Sequence, residues 1–122
     1  MPVLPTDAKE RKNLPIGTGV LKYFPLALAE VAKASLAGNK QHLEGQPLHW
    51  DRSKSTDDFD AMIRHALQLD DPDEGGVSHV GAMMWRALAV GEKILESRQN
   101  ATKAESMARR EANILRDPNE QI

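Results

Sequence analysis

The sequence predicts an all-α protein, a compact bundle of about four helices preceded by an extended N-terminal arm. Three observations carry that expectation. Apolar residues recur at three-and-four spacing in four stretches, the pattern of a single buried helical stripe. Residues that start or stop helices bracket those stretches, and breaker-rich connections separate them.

Residues 1–19 carry three of the seven prolines and two glycines without a sustained period. They read as an extended arm, either draped over the surface or crossing to a neighbouring subunit through Val3, Leu4, Leu14 and Ile16. Residues 20–122 read as a single helical domain. Its first helix is expected over 25–37, because Pro25 suits a first helical position where its missing N–H has no partner. Leu28, Val31, Ala32, Ser35 and Leu36 form its stripe, and Gly38 is a natural left-handed stop. The connection over 38–54 holds the breakers Gly38, Gly45 and Pro47 together with His42, His49 and Trp50. A connection this long is unusual in a small domain unless it has a task. Trp50 is either a plug over the core or a face on which a nucleobase stacks.

The second helix, expected over 56–69, is capped by Ser55 or Thr56, with Asp57 and Asp58 in the first turn where the helix dipole favours negative charge. Phe59, Met62, Ile63, Ala66 and Leu67 supply its stripe, leaving Asp57, Asp60, Arg64 and His65 at the stripe's edge. The acidic run LDDPDEGGVS lacks the ligand spacing of a calcium loop and reads as a solvated linker. Ser78 then caps a third helix over 78–97, with the stripe Val80, Met83, Met84, Ala87, Leu88, Gly91, Ile94 and Leu95. His79 and Arg86 are seven residues apart, so both can reach one ligand about 10 Å long. A fourth helix is expected over 101–116, opened by Asn100 and stopped by Asp117 and Pro118. Its small, sparse apolar positions suggest weak packing on the bundle or burial against a second subunit.

The balance of 16 basic and 18 acidic residues gives a net charge of -2, which argues against wholesale binding to duplex nucleic acid. The absence of cysteine removes disulfides, thiolate zinc sites and cysteine nucleophiles, and fits a cytoplasmic setting. No run approaches the ~18 apolar residues of a membrane span, and the first fifteen residues lack a signal peptide's apolar region. No Walker loop, serine-hydrolase elbow or dinucleotide fingerprint occurs.

Three constellations carry chemistry. Glu30, Asp57 and Asp60 are carboxylates that can hold Mg²⁺, although Glu30 reads more readily as a solvated side chain than as a metal ligand. His65 and His79 would face each other across antiparallel helices, where Asp60 could join them around zinc or manganese. Lys54, Arg64, His79 and Arg86 form a cationic set suited to phosphate, since arginine's fixed fork binds phosphate oxygens in pairs.

The order of FPLALAEVAKASLAGNKQH, the tryptophan of PLHWDRSKS, DFDAMIRHAL, an acidic gap and SHVGAMMWRALAVGEKILE resembles a phage domain family, the dATP/dGTP diphosphohydrolase amino-terminal domain. The resemblance runs from Phe24 to Glu96 and implies an all-helical phage protein acting on purine deoxynucleoside triphosphates in the cytoplasm of an infected cell. Asp60, Arg64, His65 and His79 take the positions of the family's polar signature. Arg86, after Trp85, stands where the family carries an asparagine, and a fixed cation there favours phosphate binding over metal chemistry. Under this reading Asp60, His65 and His79 are catalytic, Glu30, Asp57 and Asp60 hold Mg²⁺, and Trp50, Lys54, Arg64 and Arg86 bind the nucleotide. The rival reading is a homo-oligomeric protein that sequesters a signalling nucleotide, such as a cyclic dinucleotide of host antiphage defence, without turning it over.

Overall fold

The computed structural model of the protein describes residues 3–42 and 45–115, without the side chains of 41 and 42. Its α-helices are α1 (Ala8–Lys12), α2 (Ile16–Gly19), α3 (Pro25–His42), α4 (Asp58–Leu67) and α5 (His79–Leu115), with 3-10 turns at Leu21–Tyr23 and Arg52–Lys54. The fold is all-α: among the described residues the only β pairing is an isolated bridge between Glu74 and Val77. Two compact units are distinguished, Val3–Val90 and the stretch from Gly91 onward.

Within the arm, Ala8–Lys12 and Ile16–Gly19 are helical where extended chain was expected. Asp7 caps α1 by accepting a hydrogen bond from the Glu10 N–H at 3.1 Å, and Ile16–Gly19 closes a further turn. The proposed anchors Val3, Leu4, Leu14 and Ile16 are all exposed. Helix α3 begins at Pro25 as expected but runs through Gly38, which does not take the left-handed conformation a stop requires. The residue after it closes the following loop instead. The Asn39 side chain donates to the Gln46 carbonyl and accepts from the His49 N–H, each at 3.4 Å.

Helices expected over 78–97 and 101–116 are one continuous helix. Asn100 is a tolerable interior residue, and Ala101, Lys103, Ala104 and Glu105 are strong helix formers, so nothing between them ends the hydrogen-bond ladder. The expected stop at Asp117 and Pro118 lies outside the described residues. Beyond Gly91 the helix carries an exposed Glu105–Arg109 pair one turn apart.

The Val3–Val90 unit departs furthest from expectation in the faces its helices bury. On α4 the inward residues are Asp58, Ala61 and, half-buried, His65, while Phe59 is 60% exposed and Leu67 83% exposed. On α5 the inward residues are His79, Gly81, Ala89 and, half-buried, Ala82 and Arg86, while Val80 and Leu88 are exposed. Both stripes are therefore rolled: a polar and small-residue face turns in, Met62, Met83, Met84 and Trp85 stay half-buried, and Phe59, Ile63, Leu67, Val80 and Leu88 turn out. Among the described residues Ala61 and Ala89 are the only hydrophobic side chains that are fully buried.

The acidic linker is ordered around its glycines. Glu74 and Val77 exchange both backbone hydrogen bonds, at 3.0 and 3.1 Å, across Gly75 and Gly76, whose φ values of 61 and 79 lie where other residues are strained. Ser78 then opens α5 as expected, its hydroxyl accepting from the Gly81 N–H at 3.0 Å. Gly81 itself lies against α3, so close that an added Cβ would sit 2.7 Å from the Glu30 carbonyl oxygen. A backbone carbonyl cannot swing aside, so Gly81→Ala is expected to destabilise the protein by about 1–3 kcal/mol. Gly91→Ala, with nothing within 4 Å of the new methyl, is expected to stabilise it by about 0.5–1 kcal/mol. Denaturant midpoints of the two variants check both signs.

Candidate functional site

Helices α4 and α5 are joined by two polar rungs. At the first, the Arg86 guanidinium donates through Nη1 to Asp58 Oδ1 at 2.7 Å. Asp58 is only 5% exposed, and the Ser55 hydroxyl donates to the same oxygen. Ser55 was expected to cap the helix; Asp57 takes that place without a side-chain cap bond, and the Ser55 hydroxyl serves Asp58 instead. At the second rung the Nδ1 atoms of His65 and His79 are 2.9 Å apart, with His79 4% exposed. The rungs are seven residues apart on both helices, in opposite chain directions. That is two turns, about 10 Å, of an antiparallel pair. A third contact ties α5 to α3, where the Ser78 hydroxyl donates to Glu30 Oε2 at 2.7 Å.

Beside the rungs opens a cleft of about 980 Å³. Lys33 and Lys40 of α3, Lys54 of the loop, Arg64 of α4 and Arg86 of α5 line it, against the carboxylates Asp51 and Glu74. The Ser53 hydroxyl, donating to Asp51, holds that carboxyl below its usual pKa. Arg64 forms no ion pair among the described residues, and Arg86 uses Nη1 alone on Asp58, with Asp57 3.8 Å away. Lys33 is paired with Glu30 at 2.9 Å; the contact lowers the Glu30 pKa, with help from Ser78, and raises that of Lys33. Trp50 and Trp85 meet edge to face at 5.7 Å between ring centroids on the cleft wall. The Arg52 guanidinium lies 4.2 Å over the Trp50 ring, so one stacking face is already covered.

The structure thus brings six of the nine expected site residues to one cleft: Trp50, Lys54, Arg64, His65, His79 and Arg86. Glu30, Asp57 and Asp60 are not among its lining residues, and among the described residues no three acidic or histidine side chains are grouped to hold a metal ion. The reason is geometric. Asp58 faces α5, Asp57 stays on the exposed side of that rung 3.8 Å from Arg86 Nη1, and two residues on from Asp58, at ~200° around the helix axis, Asp60 is carried to the far side. Glu30 is engaged by Lys33 and Ser78. These carboxylates do not fit a magnesium site. Not expected in the site were Asp58 and Ser55, read only as helix-start residues, together with Trp85, Lys33, Lys40, Asp51 and Glu74 of the cleft wall. Asp58 and His65 share a spacing of seven with His79 and Arg86, and that match was the available signal.

A family model described as dATP/dGTP diphosphohydrolase, N-terminal, matches residues 5–103. The chain belongs to this family. Comparison with curated proteins and with solved structures gives no match. Membership in the dATP/dGTP diphosphohydrolase N-terminal family places the cleft in a nucleotide-hydrolase family, and the match spans all of α3 and α4 and α5 as far as Lys103. No helix of the described residues is long and apolar enough to cross a membrane.

Burial, then the adjacent Arg64 charge and His79, hold the His65 imidazole below its usual pKa of 6.5 against the opposing pull of Glu74. As pH falls through that usual value the unfolded imidazole takes a proton that the folded one still refuses, so stability declines with acid. The denaturant midpoint is expected to drop between about pH 7.5 and 5.5, and His65→Asn to flatten part of that decline.

Proposed function

We propose that this chain captures purine deoxynucleoside triphosphates in the Arg64–Arg86 cleft and releases pyrophosphate from them, as the family's description implies. The observation that supports the reading is the cleft's charge: five cationic side chains against two carboxylates around a volume in the range of small-ligand sites. Arg64, Arg86 and Lys54 would engage the phosphate oxygens, with the Trp50–Trp85 edge left for the base. In the reaction a water adds to the α-phosphorus, the bond to the bridging oxygen breaks, and pyrophosphate leaves with the electron pair. The His65–His79 pair would lie beside that water and the phosphates, and the proton the water loses passes to solvent. Arginine charge held in place before the substrate arrives stabilises the leaving pyrophosphate.

A second reading, capture without turnover, is favoured by one observation: the three carboxylates expected to serve chemistry lie outside the cleft. Homo-oligomer formation belongs to both readings, since a second copy would cover the exposed row Phe59, Ile63 and Leu67 of α4.

Calorimetry with dATP and dGTP, followed by assay of pyrophosphate with and without Mg²⁺, tests these readings. Saturable binding weakened roughly tenfold to a hundredfold by Arg64→Ala is expected, by the loss of one charged hydrogen-bond donor. Pyrophosphate release supports hydrolysis, whereas tight binding with intact nucleotide recovered supports capture. Failure to bind either nucleotide contradicts both. Light scattering on the same samples is expected to show a dimer or larger species, and a monomer at every concentration contradicts the oligomer.

A further inference from the structure

The two imidazoles at the mouth of α5 form an unusual unit. A separation of 2.9 Å between two Nδ1 atoms requires one N–H donor and one lone pair between them. In the neutral pair one ring carries its proton on Nδ1 and the other on Nε2. Adding one proton gives an imidazolium hydrogen-bonded to an imidazole, and the contact survives in a stronger, charge-assisted form. Adding a second puts a proton on both Nδ1 atoms, and the contact must break. The geometry therefore admits one proton and excludes the next.

The surroundings decide when that proton is taken. Arg64 from α4 and Arg86 from α5 repel it, and Lys33 and Lys40 of α3 and Lys54 of the loop line the same cleft. His49 shares the wall, and Glu74 and Asp51 oppose the cations; Asp58 is already engaged by Arg86. His79 is buried and His65 half-buried, so solvent screens these charges weakly. In the empty cleft the balance is cationic and disfavours a proton on His65. An anion reverses that balance.

We propose that entry of a phosphate-type anion into the cleft is coupled to uptake of one proton by the His65–His79 pair, which thereby joins the anion-binding set only when the ligand is present. The inference rests on the reading that the cleft takes a phosphate-bearing ligand. It assigns the pair a role that does not require turnover: it matches the protein's charge to the ligand's and makes capture tighter on the acid side of neutrality. By linkage, whatever the anion does to proton affinity the proton does to anion affinity. A rise of one pKa unit in the pair corresponds to about tenfold tighter binding once the pair is protonated.

Proton NMR titration of the imidazole Hε1 signals in the full chain, alone and saturated with dATP, reads the coupling directly. The pair is expected to titrate at least about one unit higher with dATP bound. Sulfate, whose charge is fixed across this range, is expected to bind about tenfold tighter at the acid end of the titration, removing the ligand's own ionisation from the comparison. Arg64→Gln is expected to raise the apo titration and shrink the ligand-induced rise, an effect a merely structural histidine pair would not show. Binding of dATP or sulfate with unchanged histidine titration overturns the coupling while leaving the binding reading intact. No binding of either anion removes both.

Discussion

The structure of the Val3–Val90 unit depends on a polar constraint, the pair of rungs that joins Asp58 to Arg86 and His65 to His79. Asp58 is nearly inaccessible to water, and a carboxylate so placed is tolerated only with a hydrogen-bonded countercharge. Arg86 supplies it, and Ser55 satisfies the same oxygen. Because the second rung lies two turns away on both helices, the pair specifies register and rotation together. A slip by one residue would carry all four groups out of reach.

That constraint determines which faces of the helices are available for other work. Turning Asp58, Ala61 and His65 toward α5 presents Arg64 to the cleft and leaves Phe59, Ile63 and Leu67 exposed. Ala61 fits between the rungs because it is small, and Gly81 lets the start of α5 approach the Glu30 carbonyl of α3. The same Ser78 that caps α5 reaches Glu30, so the helix start and the α3 contact share one hydroxyl. The cleft is thus a product of polar pairing between helices more than of apolar collapse, in keeping with a fully buried apolar set that, among the described residues, consists of two alanines.

The all-α class, the starts of α3 and α5 and the six cleft residues were legible because each rests on a local rule. A proline at a helix start, a serine cap and an arginine or histidine at fixed spacing need no knowledge of the partner helix. The roll of α4 and α5 was not legible, because a hydrophobic stripe is read on the assumption that it faces the chain's own core. Here the buried charge outweighs that preference: leaving Asp58 without Arg86 costs more than exposing Phe59 or Leu67, each worth about 1.5–3 kcal/mol on burial. For the same reason Asp57 and Asp60 were weighted above Asp58, although only Asp58 of the three is buried. The single α5 helix was missed because Asn100 is a good cap as well as a tolerable interior residue. The family resemblance, by contrast, rested on spacing along the chain and is met by the match to residues 5–103.

The central claim is that Asp58 and Arg86 act as a coupled pair that sets how α4 meets α5. A double-mutant cycle on unfolding free energy, built from Asp58→Asn, Arg86→Gln and the combined variant, measures that coupling most directly. An interaction energy of about 1–3 kcal/mol, with the double variant less damaged than the sum of the singles, is the predicted result. Effects that add to within about 0.5 kcal/mol would contradict the account.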